Sequence, residues 1–134
     1  MLVADASASL SWFLESPLST GATRTFNFAK SSLLIVPPIW IYETQNALLK
    51  LTRQRRISQD EAHQIRIEFD LIYKRIDRTN DPDMIDRTLE IAKAHMMTFY
   101  DASYVELAFR LGLPLATGDQ AEKNAAKALG IKLV

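Results

Sequence analysis

The clearest hydrophobic signal is the unbroken aliphatic run Leu33–Val36, stopped by Pro37 and Pro38. A continuous apolar run of this length, bounded by proline, predicts a fully buried strand. Leu2–Ala4, Leu113–Thr117 and Ile131–Val134 predict three more short strands. Between them the apolar spacing changes to helical period. Asp5 or Ser7 starts a short helix carrying Ala8, Trp12 and Phe13, and Glu15–Gly21 reads as a loop. A helix over about Ala22–Lys30 would bury Phe26, Phe28 and Ala29. A long helix is predicted from Pro38 to about Arg56, with Ile39, Trp40, Ala47, Leu48 and Leu51 on its apolar face. Ser58 with Glu61 is a capping box opening a second long helix with Ile65, Phe69, Leu71 and Ile72 inside.

Asp81 followed by Pro82 starts a helix carrying Met84, Ile85, Leu89 and Ala92. Thr98 starts another, with Tyr100, Tyr104, Leu107, Ala108 and Leu111 as one stripe. Asp119 caps the last helix with Glu122 three positions on, and Gly130 stops it. Strands alternating with helices predict an α/β fold with a central parallel sheet, and the two adjacent long helices suggest an inserted helical hairpin.

At 134 residues the chain fits one domain spanning 1–134. No apolar run approaches the ~20 residues of a membrane span, and the N-terminus lacks a basic signal-peptide region. The absence of cysteine excludes disulfides, thiolate metal sites and thiol nucleophiles, and suits a cytoplasmic protein. Sixteen basic residues balance 16 acidic ones, so there is no overall basic excess of the kind that marks many nucleic-acid binders. Four acids sequestered around cations would leave 16 basic against 12 acidic residues.

Four acids merit that thought. Asp5 and Asp119 end strands, while Glu43 and Asp101 fall in the first turns of helices. In a parallel sheet these places lie along one edge, where ligands bind. Each acid also has an ordinary explanation. Asp5 and Asp119 are competent caps, Asp101 could complete a capping box with Thr98, and Glu43 could be a solvated helix residue. Against four ordinary roles stands the repulsion of carboxylates gathered within a few ångströms, which divalent cations would reverse. Oxygen-only ligands favour Mg2+ or Mn2+ over zinc, and such ions can polarise a phosphoryl oxygen. His63 and His95 lie outside the acid segments, and no Gly-rich phosphate loop is present.

Val3-Ala-Asp5-Ala-Ser7, Glu43-Thr-Gln-Asn46-Ala-Leu48 preceded by Pro38, Tyr100-Asp101-Ala-Ser-Tyr104 and Leu115-Ala-Thr117-Gly-Asp119 resemble, in order and spacing, the PIN-domain ribonucleases. Within that family they are similar to the VapC-type toxins of bacterial toxin–antitoxin pairs. The resemblance implies a PIN-like three-layer α/β/α fold and a Mg2+- or Mn2+-dependent endoribonuclease that hydrolyses RNA phosphodiester bonds. It gives Asp5, Glu43, Asp101 and Asp119 the catalytic and metal-ligating places, and Ser7 and Thr117 supporting places beside them. Asn46 matches a recurrent amide, and Gly118 a variable position. The partners it implies are an RNA substrate, a cognate VapB-type antitoxin and a second copy in a homodimer, with no membrane. One alternative is a catalytically silent RNA- or protein-binding module on the same scaffold. An aspartyl-nucleophile phosphatase would want an acid two residues after Asp5, where Ser7 stands.

Lys50, Arg53, Arg55 and Arg56 cluster after one long helix, and Lys74, Arg75 and Arg78 after the next. Cations favour helix C-termini and solvated faces; the functional alternative, for Arg53, Arg55 and Arg56 above all, is a grip on RNA phosphates. Trp12, Phe13 and Trp40 suit core packing, a dimer contact or base stacking. Met96 and Met97 suit the core or a partner's groove.

Overall fold

The structure is a computed structural model and describes residues 1–14 and 31–134. The loop and helix expected over 15–30, with Phe26, Phe28 and Ala29, fall outside the described residues. In chain order the elements are β1 (Leu2–Ala4), α1 (Ala6–Ser11), β2 (Leu34–Val36), α2 (Ile39–Arg53), α3 (Gln59–Leu71), β3 (Lys74–Ile76), α4 (Pro82–His95), α5 (Phe99–Leu111), β4 (Leu115–Ala116) and α6 (Gln120–Ala128).

The strands form one parallel sheet in the order β3-β2-β1-β4. Leu2, Val3, Leu34, Ile35 and Val36 are fully buried, as expected of strands covered on both faces. Burying each such aliphatic side chain contributes about 1.5–3 kcal/mol. From β1 the chain moves outward to β2 and β3, then returns past β1 to β4. Right-handed crossovers in opposite directions put α2 and α3 on one face and α4 and α5 on the other. The chain therefore reverses direction between β1 and β4, and a cleft opens beyond their C-terminal ends. No helix of the described residues is long and apolar enough to cross a membrane.

The apolar pattern of the sequence does not predict β3. Its three residues, Lys-Arg-Ile, carry only one apolar side chain, and among the described residues β3 is the edge strand of the sheet, paired with β2 alone. Lys74 and Arg75 are thus strand residues, and Lys74 Nζ donates to the Phe69 carbonyl at 2.7 Å. With β3 in place, the pair α2 and α3 is the crossover between β2 and β3. The expected last strand is reduced to a single parallel bridge, Leu115 with Leu133.

Several apolar stripes are rotated from their expected positions. In α5, Tyr104, Leu107 and Ala108 are buried but Tyr100 and Leu111 are exposed. In α4, Ile91, Ala92 and Thr88 face the core while Ile85 and Leu89 are exposed; in α3, Leu71 is exposed. Trp12 is buried, and Phe69 makes T-shaped contacts with Phe13 and Trp40 at centroid distances of 4.7 and 5.4 Å, so these aromatics tie α2 and the segment after α1 to α3. Met97 packs against the core, whereas Met96 is 94% exposed because it caps α4 in the left-handed conformation.

A polar network ties α4, α5 and the segment after β3 together. Glu106, 1% exposed, accepts from Arg87 Nε at 3.1 Å and Arg110 Nε at 3.0 Å. Arg110 also pairs with Asp77, which accepts from Thr79. Removing one partner of a buried pair strands the other. Arg110→Ala is expected to cost about 3 kcal/mol in urea denaturation, and the half-exposed Arg87→Ala clearly less.

Candidate active site

Asp5 leaves the end of β1 and caps α1, its Oδ1 accepting from Ala8 N at 2.6 Å. The Ser7 hydroxyl lies 2.8 Å from Oδ2, and the Thr117 hydroxyl donates to Oδ2 at 2.7 Å. Thr117 follows β4 and in turn accepts from Asp119 N at 2.9 Å. Asp5 N donates to Ala116 O at 3.0 Å. These bonds lock the ends of β1 and β4 together around a carboxylate only 4% exposed.

The other acids arrive from helices. Glu43, in the second turn of α2, accepts a hydrogen bond from the hydroxyl of Tyr104 on α5. Thr98 caps α5 by accepting from Asp101 N at 3.1 Å and donates its own proton to Asp101 Oδ2 at 2.7 Å. The Asp101 carboxylate therefore answers the capping hydroxyl and leaves the helix backbone to it. Asp119 caps α6, its Oδ1 accepting from Glu122 N at 2.9 Å. Capping and membership of a cluster are compatible roles here.

All four acids line one cavity of about 600 Å3, with Ser7, Tyr104, Gly118 and Glu122. A Cβ on Gly118 would sit 3.3 Å from Ser7 Oγ, so glycine leaves room for the hydroxyl that holds Asp5. Glu122 is an addition to the expected set. The S/T/D-x-x-E spacing from Asp119 disguised it as a capping residue. Its side chain is 2% exposed and its Oε2 has no hydrogen-bond partner. The sequence did hold a signal: Glu122 lies three and four positions before the buried Ala125 and Ala126, on the inward face of α6.

Burial is the main force raising the carboxyl of Asp5, and the negative charge of Asp119 adds to it against its three donors. Glu43 is also raised, first by burial, then by Asp101 and Asp5, while Tyr104 pulls the other way. Glu122 is pushed up to about 9 by burial and then by the charge of Asp5, with Asp101 and Asp119 contributing and the Thr117 hydroxyl easing it. The Tyr104 hydroxyl is held firmly protonated by burial and by its bond to Glu43. It is a fixed donor.

The PIN domain family matches residues 2–128. The chain belongs to the PIN domain family. Ribonuclease VapC3 of Pyrobaculum aerophilum is 32% identical over 127 residues, 93% of this chain and 95% of that protein. Ribonuclease VapC1 of Mycobacterium tuberculosis is 35% identical over 92 residues, 67% of this chain and 65% of that protein. Among solved structures, PAE2754 from Pyrobaculum aerophilum superposes with a TM-score of 0.68 at 26% identity, covering 92% of this chain and 78% of that one. These similarities put the chain with the VapC-type PIN proteins.

In this PIN domain the remaining sequence candidates lie elsewhere. Arg53, Arg55 and Arg56 are exposed at the far end of α2, where Arg55 takes a positive φ of 55° as the helix ends. Ten residues of helix separate Glu43 from Arg53, about 15 Å along the axis. His63, His95 and Asn46 do not line the cavity. Tyr42 and Tyr100, the neighbours of Glu43 and Asp101, line a second cavity of about 340 Å3 with Pro38, Ile39 and Phe99. Among the described residues no three His, Cys, Asp or Glu side chains are drawn together tightly enough to hold an ion as they stand. The acids of the PIN domain enclose a space and stop short of a closed cage. Their chemistry suits a hard cation: every charged donor is a carboxylate, and the buried Glu122 Oε2 is unpaired.

Unfolded, Glu122 titrates near its ordinary 4.5; folded, near 9. Between those values the folded protein holds the extra proton, so stability falls as pH rises. Asp5 and Glu43, both raised, act in the same direction. Urea denaturation of chelator-treated protein from pH 5 to 8.5 should show this decline, at most ~1.4 kcal/mol per pH unit for each group. Glu122→Leu should flatten it.

Proposed function

We propose that this PIN domain is a Mg2+- or Mn2+-dependent endoribonuclease, the toxin of a type II toxin–antitoxin pair. The observation that carries the reading is the convergence of Asp5, Glu43, Asp101 and Asp119, from four separate elements, on one cavity beyond β1 and β4. The full-length similarity to a protein named Ribonuclease VapC3 supports RNA as the substrate class.

Asp5, Asp101 and Asp119 are the residues that would hold the cation, with Glu43 joining directly or through water. A bound divalent ion supplies Lewis-acid charge for a phosphoryl oxygen. Ser7, Thr117 and the Ala8 amide favour the ionised form of Asp5 against its burial and fix its direction, as supporting donors do around a metal ligand. Tyr104 holds Glu43 by one oxygen, leaving the other to orient the attacking water. Asp119 is exposed and stands at the side from which substrate enters. The cognate VapB-type antitoxin and the homodimer belong to the same reading.

Wild-type protein should cleave structured RNA with Mg2+ or Mn2+, and Asp101→Asn should lose at least about a hundredfold in rate. Equal cleavage by both would reject the assignment. Binding that survives chelator without any cleavage would favour the silent RNA- or protein-binding module instead. Tyr104→Phe should keep the fold but lower the rate, since Glu43 loses its anchor. Neutralising Arg53, Arg55 and Arg56 together should flatten the salt dependence of RNA binding, and an unchanged slope would remove them from the interface.

A further inference from the structure

Position N3 of α6 is one where a glutamate usually has simple work. In a capping box it would reach back to the N-cap amide, but Asp119 N already donates to Thr117. On an exposed face it would be solvated, but Glu122 is buried in line with Ala125 and Ala126. As a member of an ion pair it would touch a base, yet none of the ion pairs among the described residues includes it. An apolar residue is the default for such a stripe. A buried carboxylate oxygen without a donor is a standing cost to the fold.

The cavity supplies what the fold withholds. Glu122 lines the same space as Asp5, Glu43, Asp101 and Asp119, and the unpaired Oε2 is the one buried carboxylate oxygen among the described residues with no donor. Asp5, by contrast, spends its lone pairs on three donors. Resting on the metal-dependent reading above, we propose that Glu122 is a fifth acid of the cation site, its Oε2 ligating the ion directly or through one of the ion's waters. The cation site thus extends from the β1 end along the first turn of α6. Glu122 adds negative charge on the buried wall of the cavity, opposite in character to the exposed Asp119.

The test is Mn2+ titration of chelator-treated protein by calorimetry, with Mn2+-dependent thermal shift in parallel. Wild type should bind, and Glu122→Gln, which keeps shape and loses charge, should bind at least about tenfold more weakly. Glu122→Leu guards against misfolding of the first variant. It should melt no lower than wild type without metal, because it removes the unpaired oxygen, and should lose most of the Mn2+-dependent rise. Wild-type Mn2+ affinity in Glu122→Gln, or a wild-type rise in Glu122→Leu, overturns the inference while the metal-dependent reading stands. Absence of Mn2+ binding by wild type overturns both.

Discussion

A carboxylate taken out of water needs donors or a counter-charge, and this fold supplies them unevenly. Asp5 has three donors, arranged by the turn after β1 and by Thr117 after β4. Glu43 has one, from Tyr104. Glu122 Oε2 has none. Each lies where another acid raises its cost of ionising. Such a cluster is tolerable without metal only because protons stay on part of it, and it is best satisfied by a hard cation.

The sheet explains how residues so far apart in sequence meet. Parallel strands put all their C-terminal ends on one edge, and the reversal of direction between β1 and β4 leaves a gap there. Asp5 and Asp119 arrive directly from the strands beside that gap. Glu43 and Asp101 come from the early turns of helices on opposite faces of the sheet, and Tyr104 bridges them by bonding one while sitting a turn beyond the other. The Arg110–Glu106–Arg87 network braces α5 against α4, so Tyr104 and Asp101 are carried on a helix fixed from behind.

Much of this was legible in the chain. The aliphatic runs at Leu2–Ala4 and Leu34–Val36 are visible because strands buried on both faces admit little else. Caps at Ser58, Asp81, Thr98 and Asp119 mark helix starts because a side-chain oxygen must meet orphan backbone donors. An edge strand such as β3 escapes, since pairing on one side makes no demand for aliphatic residues and Lys74 and Arg75 read as a helix tail. The exposure of Tyr100 and Ile85 escaped for a related reason: helical spacing shows that a stripe exists, while the neighbouring helices decide which way it is turned. Glu122 was hidden by its spacing from Asp119, which satisfies a local rule that the folded chain does not use.

Whether these acids enclose a cation-binding space is decided by where a bound ion sits. Anomalous diffraction from Mn2+-soaked crystals should show a peak within the cavity bounded by Asp5, Glu43, Asp101, Asp119 and Glu122. Peaks confined to other parts of the surface, with the cavity empty at saturating Mn2+, would contradict it.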